Sequence, residues 1–284
     1  MRLALIGKVF MYLLLALVLL IAGYLILMSG IFHTPQSVHE FSSDNPDYQR
    51  VLVVGGTKGT GLEVVRQLHE KGERVTAMVR KTSNTDALDE MGIDKVVADA
   101  MRPEELAQAI TAGRFDALVS TLGTSARDLP QRQNFIQSLF KGQTVMDPNK
   151  RPDFIGNKNV FDAARAAGIE RVVFVTVIGP GKSWEGLPLP ARRGHQEVIP
   201  LKEQAEDYLM ELDMDYTIIR PGGLSNGSMT KTAKLTTDPE SFSYMGRKDL
   251  AELVVNSLDD DSTIKQVYTA YDPNRLYLWN LFLD

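Results

Sequence analysis

The chain has 284 residues, 44% of them apolar, no cysteine, and a formal net charge of −5. That is enough for one large packed domain or two small ones. The missing thiols exclude disulfides, thiolate metal sites and thiol catalysis, and the acidic balance argues against a nucleic-acid partner.

The first predicted element is apolar. Val9 to Met28 carries no charge, and about twenty residues at ~1.5 Å each match the ~30 Å hydrocarbon layer. The stretch exceeds the h-region of a signal peptide, about 7–15 residues, and no A-x-A-like site follows it. Residues 1–30 are therefore read as a single-pass membrane anchor. Residues 31–49, with Pro35, Ser37, Ser42, Ser43, Asp44 and Pro46, read as a polar linker, and 50–284 as the folded domain.

Val51–Val54 is a short β-branched run. Gly55, Gly56, Thr57, Lys58, Gly59, Thr60 and Gly61 follow it, and then the periodic apolar set Leu62, Val65 and Leu68, which reads as strand, tight turn and helix over Gly59–Lys71. Glycines belong in such a turn because it needs unusual φ values and because a Cβ would hold the backbone off a pyrophosphate resting on the helix N-terminus. The spacing is G-x-x-x-G-x-G, not the commoner G-x-G-x-x-G. The segment V-G-G-T-K-G-T-G resembles the turn of short-chain dehydrogenases/reductases, a family of Rossmann-fold NAD(P)-dependent enzymes. The resemblance implies an α/β fold, a doubly wound parallel sheet, here preceded by one transmembrane helix.

Later segments fit the same pattern. The second strand, Arg74–Val79, ends on Arg80 and Lys81, where an NAD-selective protein carries an acid for the ribose 2′-hydroxyl. Two cations there suit a 2′-phosphate, which favours NADP(H) over NAD(H); solvated strand-end charges are the alternative. The third strand, Lys95–Ala98, leads into Asp99 and Ala100. The resemblance places Asp99 beside the adenine amino group, and a turn-capping role is equally open. A helix follows over Pro103–Thr111. The fourth strand, Asp116–Gly123, resembles the family segment whose backbone, at Thr121, Leu122 and Gly123, lies along the cofactor ribose. Thr124 to Pro152 reads as an insertion, either a lid over the crevice or a surface elaboration.

Asp153–Gly168 reads as a helix with a glycine stop, and Arg171–Val177 as the next strand. In the atypical and extended branches of the family that strand ends in a Ser or Thr that bonds the substrate carbonyl, which makes Thr176 the candidate; a buried strand threonine is the other reading. Catalytic members then carry Tyr-x-x-x-Lys, in which Lys anchors the nicotinamide ribose and lowers the tyrosine pKa. Here Lys202 stands at the lysine position and Val198 at the tyrosine position. Glu206 shares a helix face with Lys202 at i, i+4 and can orient it. Tyr216–Gly223 resembles the family strand whose Pro221, Gly222 and Gly223 bring backbone to the nicotinamide carboxamide.

His195, Tyr208 and Tyr244 are candidate substitutes for the missing tyrosine. The four histidines, His33, His39, His69 and His195, lack metal-ligand spacing, so no metal is expected. Gly246–Leu258 reads as an amphipathic helix, Lys265–Tyr271 as a last strand, Asp259–Asp261 as a solvated turn. The apolar Tyr277–Leu283 can dock on the domain, on a partner or on the bilayer edge, with docking on the domain the default expectation.

Two functions fit. The first is a membrane-anchored NADP(H)-dependent oxidoreductase acting on a small-molecule acceptor. The second is a non-catalytic NAD(P)-binding assembly or regulatory subunit of a membrane protein complex, resembling NmrA-like regulators. Arg2 and Lys8 precede the apolar helix and the next Lys or Arg is Arg50, which by the positive-inside rule translocates the domain. A soluble NADP(H) pool argues for the cytoplasmic face instead, and that is the placement expected.

Overall fold

In a computed structural model, residues 2–28, 35–42, 50–124, 147, 149, 151–187 and 197–275 are described. His33, His195, most of the Thr124–Pro152 insertion and Tyr277–Leu283 lie outside them.

Helix α1 (Arg2–Met28) is long and apolar enough to cross a membrane. Its segment Gly7–Tyr24 has a mean hydropathy of 2.0 and buries nothing against the protein. The domain alternates strands and helices: β1 (Arg50–Val54), α2 (Gly59–Glu70), β2 (Arg74–Val79), α3 (Asp86–Glu90), β3 (Asp94–Val97), α4 (Pro103–Gly113) and β4 (Ala117–Ser120). After the insertion come a π-helical turn (Pro152–Gly156), α5 (Asn157–Ala166), β5 (Arg171–Val175), α6 (Ser183–Gly186), α7 (Ile199–Glu211) and β6 (Asp215–Pro221). Short strands β7 (Gly223–Ser225), β8 (Lys234–Thr236) and β9 (Tyr244–Gly246) precede α8 (Arg247–Leu258) and β10 (Gln266–Tyr271).

The main sheet has the order β3-β2-β1-β4-β5-β6-β10-β8. All its pairs are parallel except β8 with β10. Crossing from β3 to β4 over the first three strands is what a doubly wound sheet does at its switch point, and ligands bind there, outside the carboxyl ends of the strands. The β1 sequence shows why both faces are covered. Val51 and Val53 turn to one side, where they join Val64, Val65 and Leu68 of α2 and Leu250 and Val254 of α8. Leu52 and Val54 turn to the other, onto Leu106 and Ile110 of α4, Phe161 of α5 and Leu209 of α7. A strand with no polar face is the mark of a sheet buried on both sides.

Residues 35–42, within the stretch read as a polar linker, lie against the domain. The His39 N–H donates to the Leu235 carbonyl at 2.7 Å, Thr236 donates to the Ser37 carbonyl at 2.6 Å, and Phe41 packs on the core. Asp260, placed by sequence in a solvated turn, is 1% exposed. It accepts from Ser42 N at 2.9 Å and Ser42 Oγ at 3.1 Å, and lies 3.0 Å from His39 Nε2. Burial alone would raise its carboxyl pKa, but bonds from Ser262, Ser42 and His39 outweigh that and hold it well below the usual range.

Candidate functional site

The glycine turn sits at the carboxyl end of β1. Gly55 has φ +86°, and a Cβ on it would stand 2.7 Å from Thr121 Oγ1 at the end of β4. A Cβ on Gly61 would meet the Gly55 carbonyl oxygen at 2.3 Å. The turn is thus folded tightly on itself and on β4. Gly59, with φ +58°, faces only the side chain of Arg247. Gly56 and Thr60 are buried, while Thr57 and Lys58 lie toward solvent at the start of α2. This exposed backbone at a helix N-terminus is the cradle a pyrophosphate needs.

Arg80 and Lys81 are exposed at the end of β2, the neighbour of β1. The Asp99 carboxylate accepts from Met101 N at 2.9 Å, so it serves the turn after β3; Ala100 is buried beneath it.

The other end of the crevice is built around Lys202 on α7. Its side chain is 5% exposed, donates to the Leu122 carbonyl at 2.5 Å and lies 5.0 Å over the Phe174 ring. Burial pushes its pKa down to about 8 against the pull of Asp153 and Glu206. A Cβ on Gly123 would approach Asp153 Oδ1 to 3.2 Å and Lys202 Nζ to 3.5 Å, so glycine is what lets the chain pass over both charges. Glu206 does not reach Lys202 directly. It is gripped by Arg220 of β6, Nη2 to Oε2 2.5 Å and Nε to Oε2 3.1 Å, and burial raises its pKa against that pairing. Thr176 is buried just past the end of β5, with its hydroxyl 3.5 Å from the Ile219 carbonyl and near enough to Glu206 to pull that carboxyl pKa down. Its hydroxyl is thus engaged inside the protein.

Pro221, Gly222 and Gly223 close the same end. A Cβ on Gly222 would strike the Ser243 carbonyl at 2.1 Å, and one on Gly223 the Tyr244 ring at 2.4 Å. These glycines are fixed by the close approach of β9 to β7. Of the proposed tyrosine substitutes that are described, Tyr208 donates to Asp162 Oδ1 at 2.5 Å on the far face of α7. Tyr244 lies beside the Pro-Gly-Gly turn, half-buried, with its phenol pKa raised by burial. Val198 precedes α7 and accepts from Lys202 N.

Sequence reasoning missed three participants. Asn157 is fully buried and ties β4 to the turn before α5: it meets Ser120 Oγ at 2.7 Å and donates to the carbonyls of Asp153 at 2.8 Å and Leu122 at 3.2 Å. Asp153 accepts from the N–H and hydroxyl of Thr124 and from Arg151 Nε. The i, i+4 spacing of Asp153 and Asn157 at a helix start was the available signal. Arg247 is the third: it is bound to Asn226 Oδ1 at 2.8 Å, lies beside Gly59 of the glycine turn, and lines a cleft of about 690 Å³ formed by Leu224–Ser228 and the start of α8. Ile178, Leu187, Ile199 and Phe242, with the partly buried Val177 and Tyr244 packed on them, form a small buried apolar cluster beside Pro221.

With its Gly55–Gly61 turn, crevice and buried lysine, the chain belongs to a family of nucleotide-binding α/β proteins: an NAD(P)H-binding family model matches residues 55–261, within the NmrA-like, atypical short-chain dehydrogenases/reductases. Two curated relatives illustrate the range. The photosystem II assembly factor Ycf39 of Synechocystis is 27% identical over 228 residues, 77% of this chain and 61% of that one. Sanguinarine reductase of Eschscholzia californica is 26% identical over 243 residues, 76% of this chain and 86% of that one. The chain thus spans about three fifths of the length of the Ycf39 proteins it matches. Among solved structures, the anaerobillin reductase ChuY of Escherichia coli O157:H7 superposes with a TM-score of 0.65 at 26% identity, over 79% of this chain and 98% of that one.

Proposed function

We propose that the protein is a membrane-anchored, NADP(H)-dependent oxidoreductase that works without the family's catalytic tyrosine. The observation that carries this is Lys202: a buried cation held under Gly123, between the glycine turn and the Pro221–Gly223 turn. Burying a charge is costly unless the site uses it. The exposed backbone of Gly59 would hold the pyrophosphate, Arg80 and Lys81 a 2′-phosphate, and Lys202 the nicotinamide ribose. NADPH, when bound, supplies a hydride. The chain's own contribution is to hold the acceptor beside Val177 and Tyr244, the partly exposed members of the apolar cluster whose buried part is Ile178, Leu187, Ile199 and Phe242, which suits a planar, largely apolar molecule. In this reading Tyr244, beside the Pro221–Gly223 turn, is the proton donor where Val198 has none to give. α1 is the anchor in this reading, and the domain faces the compartment with the soluble cofactor.

The test is a fluorescence titration of NADPH and NADH, followed by turnover with quinones, flavins and tetrapyrroles. Submicromolar NADPH binding with turnover of one acceptor supports the reading; tight binding with no turnover of any of them counts against it. Arg80→Glu should weaken NADPH binding far more than NADH binding, and equal losses would refute the 2′-phosphate assignment.

Val198 and the name of the Ycf39 relatives favour a second reading, an NAD(P)-binding assembly or regulatory subunit of a membrane complex. A stoichiometric partner recovered from detergent extract, with no turnover, would support it.

A further inference from the structure

The anchor and the domain are joined by a tether whose effective length depends on whether residues 35–42 are docked. Arg50 lies twenty-two residues beyond Met28, a reach of about 75 Å when extended, which would let any face of a domain roughly 45 Å across meet the membrane. Pro35 lies only seven residues beyond Met28, a reach of about 25 Å. The docked segment is bound at several points to one edge of the sheet. Ser37 and His39 bond the backbone and side chains of β8 at Thr236 and Leu235. His39 also lies 3.3 Å from the Tyr268 hydroxyl of β10. Ser42 and His39 converge on the buried Asp260, and Phe41 is packed on the core.

We propose that segment 35–42 is a latch that holds the β8 edge of the domain against the lipid bilayer, with the Lys202 end of the crevice on the membrane side and the Arg80 end toward water. The inference rests on α1 as an anchor and on the cofactor reading above. Strand order sets the geometry. β6, which ends on Pro221, is two strands from β8, while β2, which ends before Arg80, is six strands away. At about 4.8 Å per strand these are roughly 10 and 29 Å. Lys202, bonded to Leu122 after β4 and lying over Phe174 of β5, is three to four strands from β8, roughly 14–19 Å. The redox end from Lys202 to Pro221 therefore lies about 10–20 Å nearer the membrane than the phosphate end, so the water-soluble cofactor enters from the aqueous side and the acceptor from the lipid side.

Because the chain has no cysteine, single thiol probes report position cleanly. Thr237→Cys, exposed just after β8, and Asp94→Cys, exposed on the opposite edge, are labelled with a fluorophore in the full chain. Each is reconstituted into phosphatidylcholine–phosphatidylglycerol vesicles carrying a headgroup quencher. The expected result is several-fold stronger quenching at 237 than at 94. An insertion of about fifteen flexible Gly/Ser residues just before Pro35, which leaves the latch docked and lengthens only the tether, should remove the difference. Co-flotation with vesicles but equal quenching at both sites overturns the latch alone, as does a difference that survives the insertion. Failure to float overturns the anchor and the inference with it. Quenching that follows protein density instead of the lipid quencher assigns the edge to a second copy of the chain and overturns the bilayer as its occupant.

Discussion

Lys202 gives the site a pH signature. Its folded pKa of about 8 is below the ordinary 10.5, so the folded state binds fewer protons than the unfolded state between those values. Stability contributed at this position therefore rises with pH from about 8 to about 10.5 and is constant outside that window. Denaturant unfolding of wild type and Lys202→Met, compared at pH 7.5 and pH 10, should show the difference shifting toward wild type at the higher pH; a constant difference would mean that Lys202 titrates normally. Tyr244→Phe keeps the ring against Gly223 and removes only the hydroxyl. It should lower turnover by about 10²-fold while leaving NADPH affinity unchanged, and loss of affinity would place the hydroxyl in binding instead.

At the scale of elements, the glycine turn separates space from conformation. Gly61→Ala drives a methyl into the Gly55 carbonyl. It should cost on the order of 1–3 kcal/mol and most of the NADPH affinity. Gly72→Ala, at φ +88° with open space around it, should lower stability and leave affinity intact, as thermal melts and cofactor titrations can separate. The turn, its flanking elements and the succession of the long strands along the chain were legible because β-branched runs and helical periodicity are local signals. The strand Arg74–Val79 falls where the periodicity placed it. β7, β8 and β9 were not legible: three residues each hold no period, and their pairing is long-range, β7 with β9 through the approach of Gly222 and Gly223 to Ser243 and Tyr244 and β8 with β10. Thr176 and Glu206 were found as residues but not as partners of each other and Arg220, since nothing in the spacing says which way a buried side chain turns. Residues 35–42 look like linker because they are polar and short of periodicity. The groups that hold them, Leu235, Asp260 and Tyr268, are about two hundred positions further along the chain.

At the scale of the whole molecule, Asp260 ties His39 and Ser42 to the far part of the folded domain. Its depressed pKa means that the carboxylate stabilises the fold above the unfolded value near 3.9, and that this contribution fades as pH falls through and below it. Asp260→Asn should therefore be markedly less stable than wild type at pH 7, with the gap closing in acid below about pH 4. Hydrogen exchange at His39 and Ser42 should quicken in the same variant, and unchanged protection there would mean that the segment is held without Asp260.

Sheet edges invite pairing with other chains, and this sheet's two are treated differently. β3 presents the charged Asp94 and Lys95, and charged side chains discourage growth by strand addition. β8 is short and is covered by residues 37–39. A chain beginning after residue 42 would bare that edge while keeping the cofactor crevice whole, and should self-associate through β8, visible as a concentration-dependent shift in sedimentation. The segment that ties the domain to its apolar helix is in this sense also its safeguard against aggregation.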